Sequence, residues 1–226
     1  MVVSRDICAL IPERVEMDDA AAVGCAAMTA YQSLLPSHVK KGARVFINGG
    51  SGGVGTWGIQ FAKCMGAEVI TSCSARNVAL CRELGADEVI DYTKETLVER
   101  LEAIGEFDIL IDNINKDEGL WQNCTRFLKE DGVFVVVGME VTCKGMGGML
   151  AKKFQPAWMG GVPRAFHFVA VDGKRADFEV VADWMKDGKV KAVIGETVEF
   201  EDVPSAFERL RTGKTRGKIV VHVAEQ

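Results

Sequence analysis

The sequence predicts an α/β domain organised on a doubly wound, parallel sheet, and three observations carry that expectation. From Gly42 onward, short apolar runs alternate with helix-like patterns. The runs are nearly unbroken: Val133 to Val137 holds no polar residue, and Phe107 to Ile111 only Asp108. Strands of that kind suit parallel sheets covered on both faces. The third observation is a glycine cluster, Gly49-Gly50-Ser51-Gly52-Gly53-Val54-Gly55, where the first run meets the first helix.

Taken in order, residues 1 to about 40 do not read as the start of a domain. Val2-Val3 and Ile7 to Ile11 look like two short strands without visible partners, and open edges are what folded proteins avoid. Asp18 or Asp19 then caps an Ala-rich helix through Ala26, Tyr31 and Leu34. Strand patterns follow at 44–48, 68–73, 87–91, 107–112, 132–138 and 165–171, with helical ones near 53–65, 76–84, 95–104, 117–129 and 175–187. Residues 139–164, rich in Gly and Met, break the rhythm and read as a lid or an interaction surface. The chain closes with a strand (Val193 to Phe200), a helix capped at Asp202 with Pro204 in its first turn, and a last strand, Lys218 to Val223.

A chain of 226 residues with 48% hydrophobic and 26% charged residues is ordinary for a folded domain. A net charge of −5 argues against nucleic acid or an anionic membrane as partner. No apolar run approaches the ~20 residues of a membrane helix. The seven cysteines are scattered and never spaced C-x-x-C, which reads as reduced thiols of a cytoplasmic or other intracellular protein.

Gly50, Gly52 and Gly55 fit G-x-G-x-x-G, with the strand before and the helix after that this motif requires. The first glycine takes a tight turn, the second lets backbone approach a pyrophosphate, and the third lets helix pack on strand. The fold expected is therefore a Rossmann sheet that binds a dinucleotide. NAD sites place an acid about 20 positions on, at the second strand end. Here that strand ends in Cys73-Ser74-Ala75-Arg76-Asn77, with no carboxylate. Hydroxyls and Arg76 suit a 2′-phosphate, so NADP(H) is the expected cofactor. The missing acid also counts against an AdoMet methyltransferase. Neither Tyr31 nor Tyr92 has a lysine four residues on, which counts against a short-chain dehydrogenase.

Gly50 to Gly55 with Gln60 and Lys63 resembles the quinone oxidoreductase signature of the medium-chain dehydrogenase/reductase superfamily. Ala27 to Tyr31, Leu84 to Asp87, Val89 to Tyr92, Asp112-Asn113, Gly132 to Gly138 and Gly213 to Val220 agree with it. Phe46 stands where Leu is usual, and Asn115 where Gly is common. The likeness is to the zinc-free, NADPH-dependent enone and quinone reductase branch. It implies that Gly50, Ser51, Gly52, Gly53 and Val54 hold the pyrophosphate. Ser74, Arg76 or Asn77, and Tyr92 would surround the 2′-phosphate and adenosine, with Arg216 a weaker candidate. Asn113, Gly138 and Phe168 would line the nicotinamide side, with Thr29 reaching it from the N-terminal helix. No zinc site is readable, since His38, His167 and His222 lie far apart in sequence. His167 is kept as a weak candidate proton donor, and no catalytic residue is otherwise assigned.

Members of that family begin with a GroES-like barrel. The resemblance divides this chain into a barrel remnant with connecting helix (1–35), an NADP-binding Rossmann domain (36–192) and a return segment (193–226). The expected activity is hydride transfer from NADPH to an enone, an enoyl C=C or a quinone, that is, to a small hydrophobic electrophile. The alternative is a catalytically silent NADPH-binding module or truncated product. Related proteins dimerise through their sheet edges, so a homodimer is a further expectation.

Overall fold

In the computed structural model, residues 3–37, 39–116, 118–138, 155–159 and 161–223 are described. Six parallel strands carry the chain from residue 44 to 169: β1 (Arg44–Asn48), β2 (Glu68–Cys73), β3 (Glu88–Asp91), β4 (Phe107–Asp112), β5 (Leu128–Val137) and β6 (Ala165–Val169). Their order is β3-β2-β1-β4-β5-β6, so the winding reverses between β1 and β4. A crevice opens at such a reversal, beyond the carboxyl ends of the strands. The helices are α1 (Met17–Ala21), α2 (Met28–Leu34), α3 (Gly53–Cys64), α4 (Val78–Glu83), α5 (Leu97–Ile104), α6 (Glu118–Gln122), α7 (Arg175–Lys186) and α8 (Val203–Arg211).

Strand alternation divides the core into two layers. Val45 and Ile47 of β1 face a cluster with Leu34, Trp57, Phe61, Leu80 and Val181, so α2, α3, α4 and α7 cover one side. Phe46, between them, faces Leu101, Leu120 and Trp121, from α5 and α6 on the other. Ring contacts fasten each layer: Trp57–Phe61 at 5.5 Å and Phe61–Trp184 at 5.4 Å, against Trp121–Phe134 and Trp121–Phe166 at 5.1 Å each. Each such pair is worth about 0.5–1.5 kcal/mol beyond the area it buries. The sheet and both helical layers follow the alternation read from the sequence.

The flanks differ from expectation. Among the described residues no strand precedes Arg44; Arg5–Ile7 is a 3-10 turn and Cys8 to Ile11 is extended without a ladder. The apolar side chains Ile7 and Ile11 line a groove against Phe178 and Met185 of α7, and that packing takes the place of strand pairing. The connecting helix is capped by Glu16, not Asp18 or Asp19, which sit in its first turn where the helix dipole favours them. It passes through a π-helical segment, Val23–Ala27, before α2. The helix expected over 117–129 ends at Gln122. A 3-10 turn, Cys124–Arg126, then leads into β5, which starts five residues before the apolar run Val133 to Val137. Cys124, Phe127 and Leu128 are buried there, and Gly132 packs so tightly that a Cβ would lie 2.8 Å from Leu128 Cδ1.

After α7 the chain leaves the large sheet. The strands β7 (Ile194–Glu199) and β8 (Lys218–His222) pair only with each other, in parallel, with α8 between them. Pro204 lies in the first turn of α8 and Asp202 is its N-cap. The Met- and Gly-rich stretch read as a lid or interaction surface falls largely outside the described residues, as does His38.

Candidate functional site

Three apolar strands end side by side in polar residues, and these form a buried bar. Ser72 Oγ on β2 donates to Asn48 Oδ1 on β1 (2.6 Å), and Asn48 Nδ2 donates to Asp112 Oδ1 on β4 (2.8 Å). The glycine loop hangs from one end of the bar. Gly49 N donates to Ser72 Oγ and Gly50 N to the Ser72 carbonyl, at 3.0 and 2.9 Å.

The three motif glycines do different work. A Cβ on Gly50 would fall 2.0 Å from Thr71 Oγ1, and one on Gly55 2.2 Å from the Gly49 carbonyl oxygen. Both are demanded by packing within the chain. Gly52 is not: its nearest contact would be an ordinary 3.5 Å, and its φ of −80° suits any residue. Gly52 is also the N-cap of α3 and brings no side-chain cap. The first-turn N–H groups of Gly53, Val54 and Gly55 therefore have no intrahelical acceptor and point outward at the positive end of the helix. A helix start with free N–H groups and no side chain at its N-cap has the polarity an anionic group takes.

The second strand end is tied to this loop. Asn77, buried at the start of α4, donates from Nδ2 to Ser51 Oγ (3.0 Å) and to Ser74 Oγ (3.4 Å). From the other side the C-terminal turn closes in. Gly217 N donates to the Ser51 carbonyl at 3.0 Å, and Lys218 lies against Gly53. Arg76 Nη2 donates to the Lys214 carbonyl at 2.8 Å. Among the described residues, Arg76, Lys214, Arg216 and Lys218 form no ion pair. Arg76 and Lys218 thus stand beside the Ser74 turn and Gly53, with Lys214 and Arg216 on the adjoining C-terminal turn.

One carboxylate stands nearby, on the next strand over. Asp91 pairs in register with Cys73, and its Oδ1 accepts from Thr93 Oγ1 (2.6 Å) and Thr93 N (3.1 Å). The Thr93 hydroxyl holds the Asp91 carboxyl below the usual carboxylate range, and the group serves the turn. Tyr92, adjacent, is 55% exposed.

On the β4 and β5 side, Asn113 N and Nδ2 both donate to the Asn48 carbonyl, at 3.4 and 3.1 Å. Asn113 Oδ1 is buried with no hydrogen-bond partner among the described residues. Asn115 adopts φ +47° and donates from Nδ2 to the carbonyl of Gly138, itself at φ +76°. Asparagine is among the few residues that tolerate that region, which explains its place where glycine is common. Thr29 is buried in α2 and its hydroxyl donates to the Cys25 carbonyl at 2.7 Å. Phe168 packs on the layer of α5 and α6. His167, one residue earlier, is exposed and lies on the opposite face of β6. The geometry gathers Ser51, Ser74, Arg76, Asn77 and Arg216 at one end of the bar and Asn113, Gly138 and Asn115 at the other.

The sequence reading passed over Asn48, Ser72, Asp112, Lys214 and Gly217. A signal for the first three was present: each is a polar residue at or near the end of an apolar run. Among the described residues no group of three or more His, Cys, Asp or Glu side chains could hold a metal ion. The nearest approach is His222, whose Nε2 lies 2.9 Å from Asp18 Oδ1 and Nδ1 3.7 Å from Glu199.

A Rossmann sheet with an open glycine loop at its reversal point defines a pyridine-nucleotide-type dehydrogenase or reductase domain. Residues 84–221 match the family of zinc-binding dehydrogenases, and the chain belongs to that family, within the medium-chain dehydrogenase/reductase superfamily. It is 40% identical over 230 residues to a trans-enoyl reductase, pgmF, of Aspergillus terreus, covering 99% of this chain and 64% of that protein. It is 32% identical over 247 residues to the mitochondrial NAD(P)H oxidoreductase RTN4IP1 of Danio rerio, covering 100% and 62%. Among solved structures, the quinone oxidoreductase from Coxiella burnetii superposes with a TM-score of 0.81 at 30% identity, covering 96% and 64%. The chain thus spans somewhat less than two thirds of these relatives. Among the described residues no helix is long and apolar enough to cross a membrane.

Proposed function

We propose that this chain is the nucleotide-binding part of an NADPH-dependent, zinc-independent reductase acting on an electron-poor C=C or a quinone. The observation that carries the reading is the glycine loop, where Gly52 alone has no reason within the fold to be glycine. The residues present fit the cofactor. The α3 N-terminus and the glycine loop around Gly52 take the pyrophosphate. Ser51 Oγ, which accepts from Asn77, keeps its own proton to donate. Arg76, Lys214 and Arg216 offer cations to a 2′-phosphate, and Ser74 and Tyr92 border the adenosine. Among the described residues Asn113 Oδ1 has no hydrogen-bond partner, and with Gly138 it would border the nicotinamide, a role the family resemblance extends to Phe168 and Thr29.

When bound, the reduced nicotinamide supplies a hydride that, with one proton, saturates an enone or reduces a quinone to the hydroquinone. The chain's part is to fix the nucleotide along the strand ends and to present one face of it. Water or an acid not yet assigned is the proton source in this reading. Names of relatives support the substrate class: a trans-enoyl reductase and a quinone oxidoreductase are both among them.

The second reading is a silent NADPH-binding module. The separating experiment is NADPH oxidation by this chain with a simple quinone and with an enone. Turnover establishes the reductase; nucleotide binding without turnover establishes the module for the chain as it stands.

A further inference from the structure

The buried bar under the glycine loop is more than a strand-end ornament. Its middle member, Asn48, is 7% exposed and its outer member, Asp112, 2%. A single oxygen, Asp112 Oδ1, accepts three hydrogen bonds: from Asn48 Nδ2 at 2.8 Å, and from Ile114 N and Asn115 N at 3.0 Å each. Those last two donors shape the turn that carries Asn113 and presents Asn115 to Gly138. At the other end, Ser72 holds Gly49 N and Gly50 N, and so the start of the pyrophosphate loop. Loop and turn come from β1 and β4, the strands between which the winding reverses. Together with the ladder, the Asn113–Asn48 bonds and the Ile114 side chain against Gly49, the bar fixes one against the other.

We infer that Asp112 is a positioning residue: through Asn48 and Ser72 it sets the spacing between the pyrophosphate loop and the Asn113 turn, and so aligns the nicotinamide half of the nucleotide. The inference rests on the nucleotide reading above. Asp112 is 2% exposed and its Oδ1 is taken up by protein donors. A carboxylate suits the post because one ionised oxygen accepts several donors with charge-assisted strength, and buried donors left unpaired are costly. The adenosine half is held elsewhere, by Ser51, Ser74, Asn77 and the cations of the C-terminal turn. Removing the bar therefore harms the two halves of the ligand unequally.

The test titrates two ligands against the same proteins: NADPH, and adenosine 2′,5′-bisphosphate, which carries only the adenosine half. Asp112→Ala is expected to weaken NADPH by about tenfold or more while leaving the bisphosphate within about twofold. Asp112→Asn, which keeps the shape and an acceptor oxygen, is expected to recover most of the NADPH affinity. Asn48→Leu cuts the bar without touching the donors of the Asn113 turn, and gives the same split should Asp112→Ala fail to fold. A general loss of structure weakens both ligands together. Equal losses for both ligands in the folded variants, or no loss for either, overturn the inference. A wild-type chain that binds neither ligand overturns the nucleotide reading instead.

Discussion

The side-chain amide of Asn77 donates to the hydroxyl of Ser51 across 3.0 Å, joining the end of the second strand to the glycine loop. The same amide reaches Ser74 Oγ, so one buried residue orders both hydroxyls on the adenosine side. Asn77 entered as a candidate ligand; its geometry makes it the residue that aims the ligands. Asn77→Ala is expected to cost about 1 kcal/mol of stability through the lost bonds. NADPH affinity should fall in the same variant by about fivefold or more, read by nicotinamide fluorescence. Unchanged affinity removes Asn77 from the site.

The motif glycines separate by their reasons. Gly50→Ala and Gly55→Ala force a Cβ against Thr71 and against the Gly49 carbonyl, and each should cost about 2 kcal/mol or more in urea unfolding. Gly52→Val leaves ordinary space and φ, so its unfolding midpoint should stay near wild type while NADPH binding is lost. A Gly52 variant that binds normally marks the loop as a turn.

Arg76 reaches the Lys214 carbonyl and keeps its remaining donors turned to solvent beside Ser74. Arg76→Ala is expected to narrow the preference for NADPH over NADH by about fivefold, with little effect on NADH itself. The wild-type preference should also shrink with added salt, because exposed charges are screened within about 10 Å at 0.1 M. Equal losses for both nucleotides exclude a 2′-phosphate role.

His222 links β8 to α1 and β7. Its bond to Asp18, aided by that charge and by Glu199, raises its pKa above the ordinary histidine value. A raised folded value means that protonation favours the folded state. The contribution is fully present below about pH 6.5 and is lost as pH rises through the higher folded value. The thermal midpoint of wild type relative to His222→Asn should accordingly be higher at pH 6 than at pH 8.5. A pH-independent difference shows that the ion pair adds nothing.

The central sheet was legible because its strands are covered on both sides, leaving runs such as Val133 to Val137 with one interpretation. Asn115, which departs from the glycine common in the family, takes a positive φ, and that conformation was not read from the sequence. The flanks were not legible either. Ile7 and Ile11 carry the pattern of a strand, yet they lie along α7, a partner some 170 positions away that no local pattern reveals. The helix after Lys116 stops early because Cys124 and Phe127 turn inward as core, although their spacing also fits a helix. Within the site, the glycine loop announces itself by composition. The Ser72–Asn48–Asp112 bar and the Arg76–Lys214 contact consist of common polar residues on separate segments, and only the fold brings them together.

The glycine loop around Gly52 is proposed to hold NADPH. Direct titration of the wild-type chain with NADPH and NADH, followed by nicotinamide fluorescence in the same low-salt buffer, tests it most directly. NADPH binding tighter than NADH by about tenfold or more is the expected result. Equal affinities, or no saturable binding of either nucleotide, contradict it.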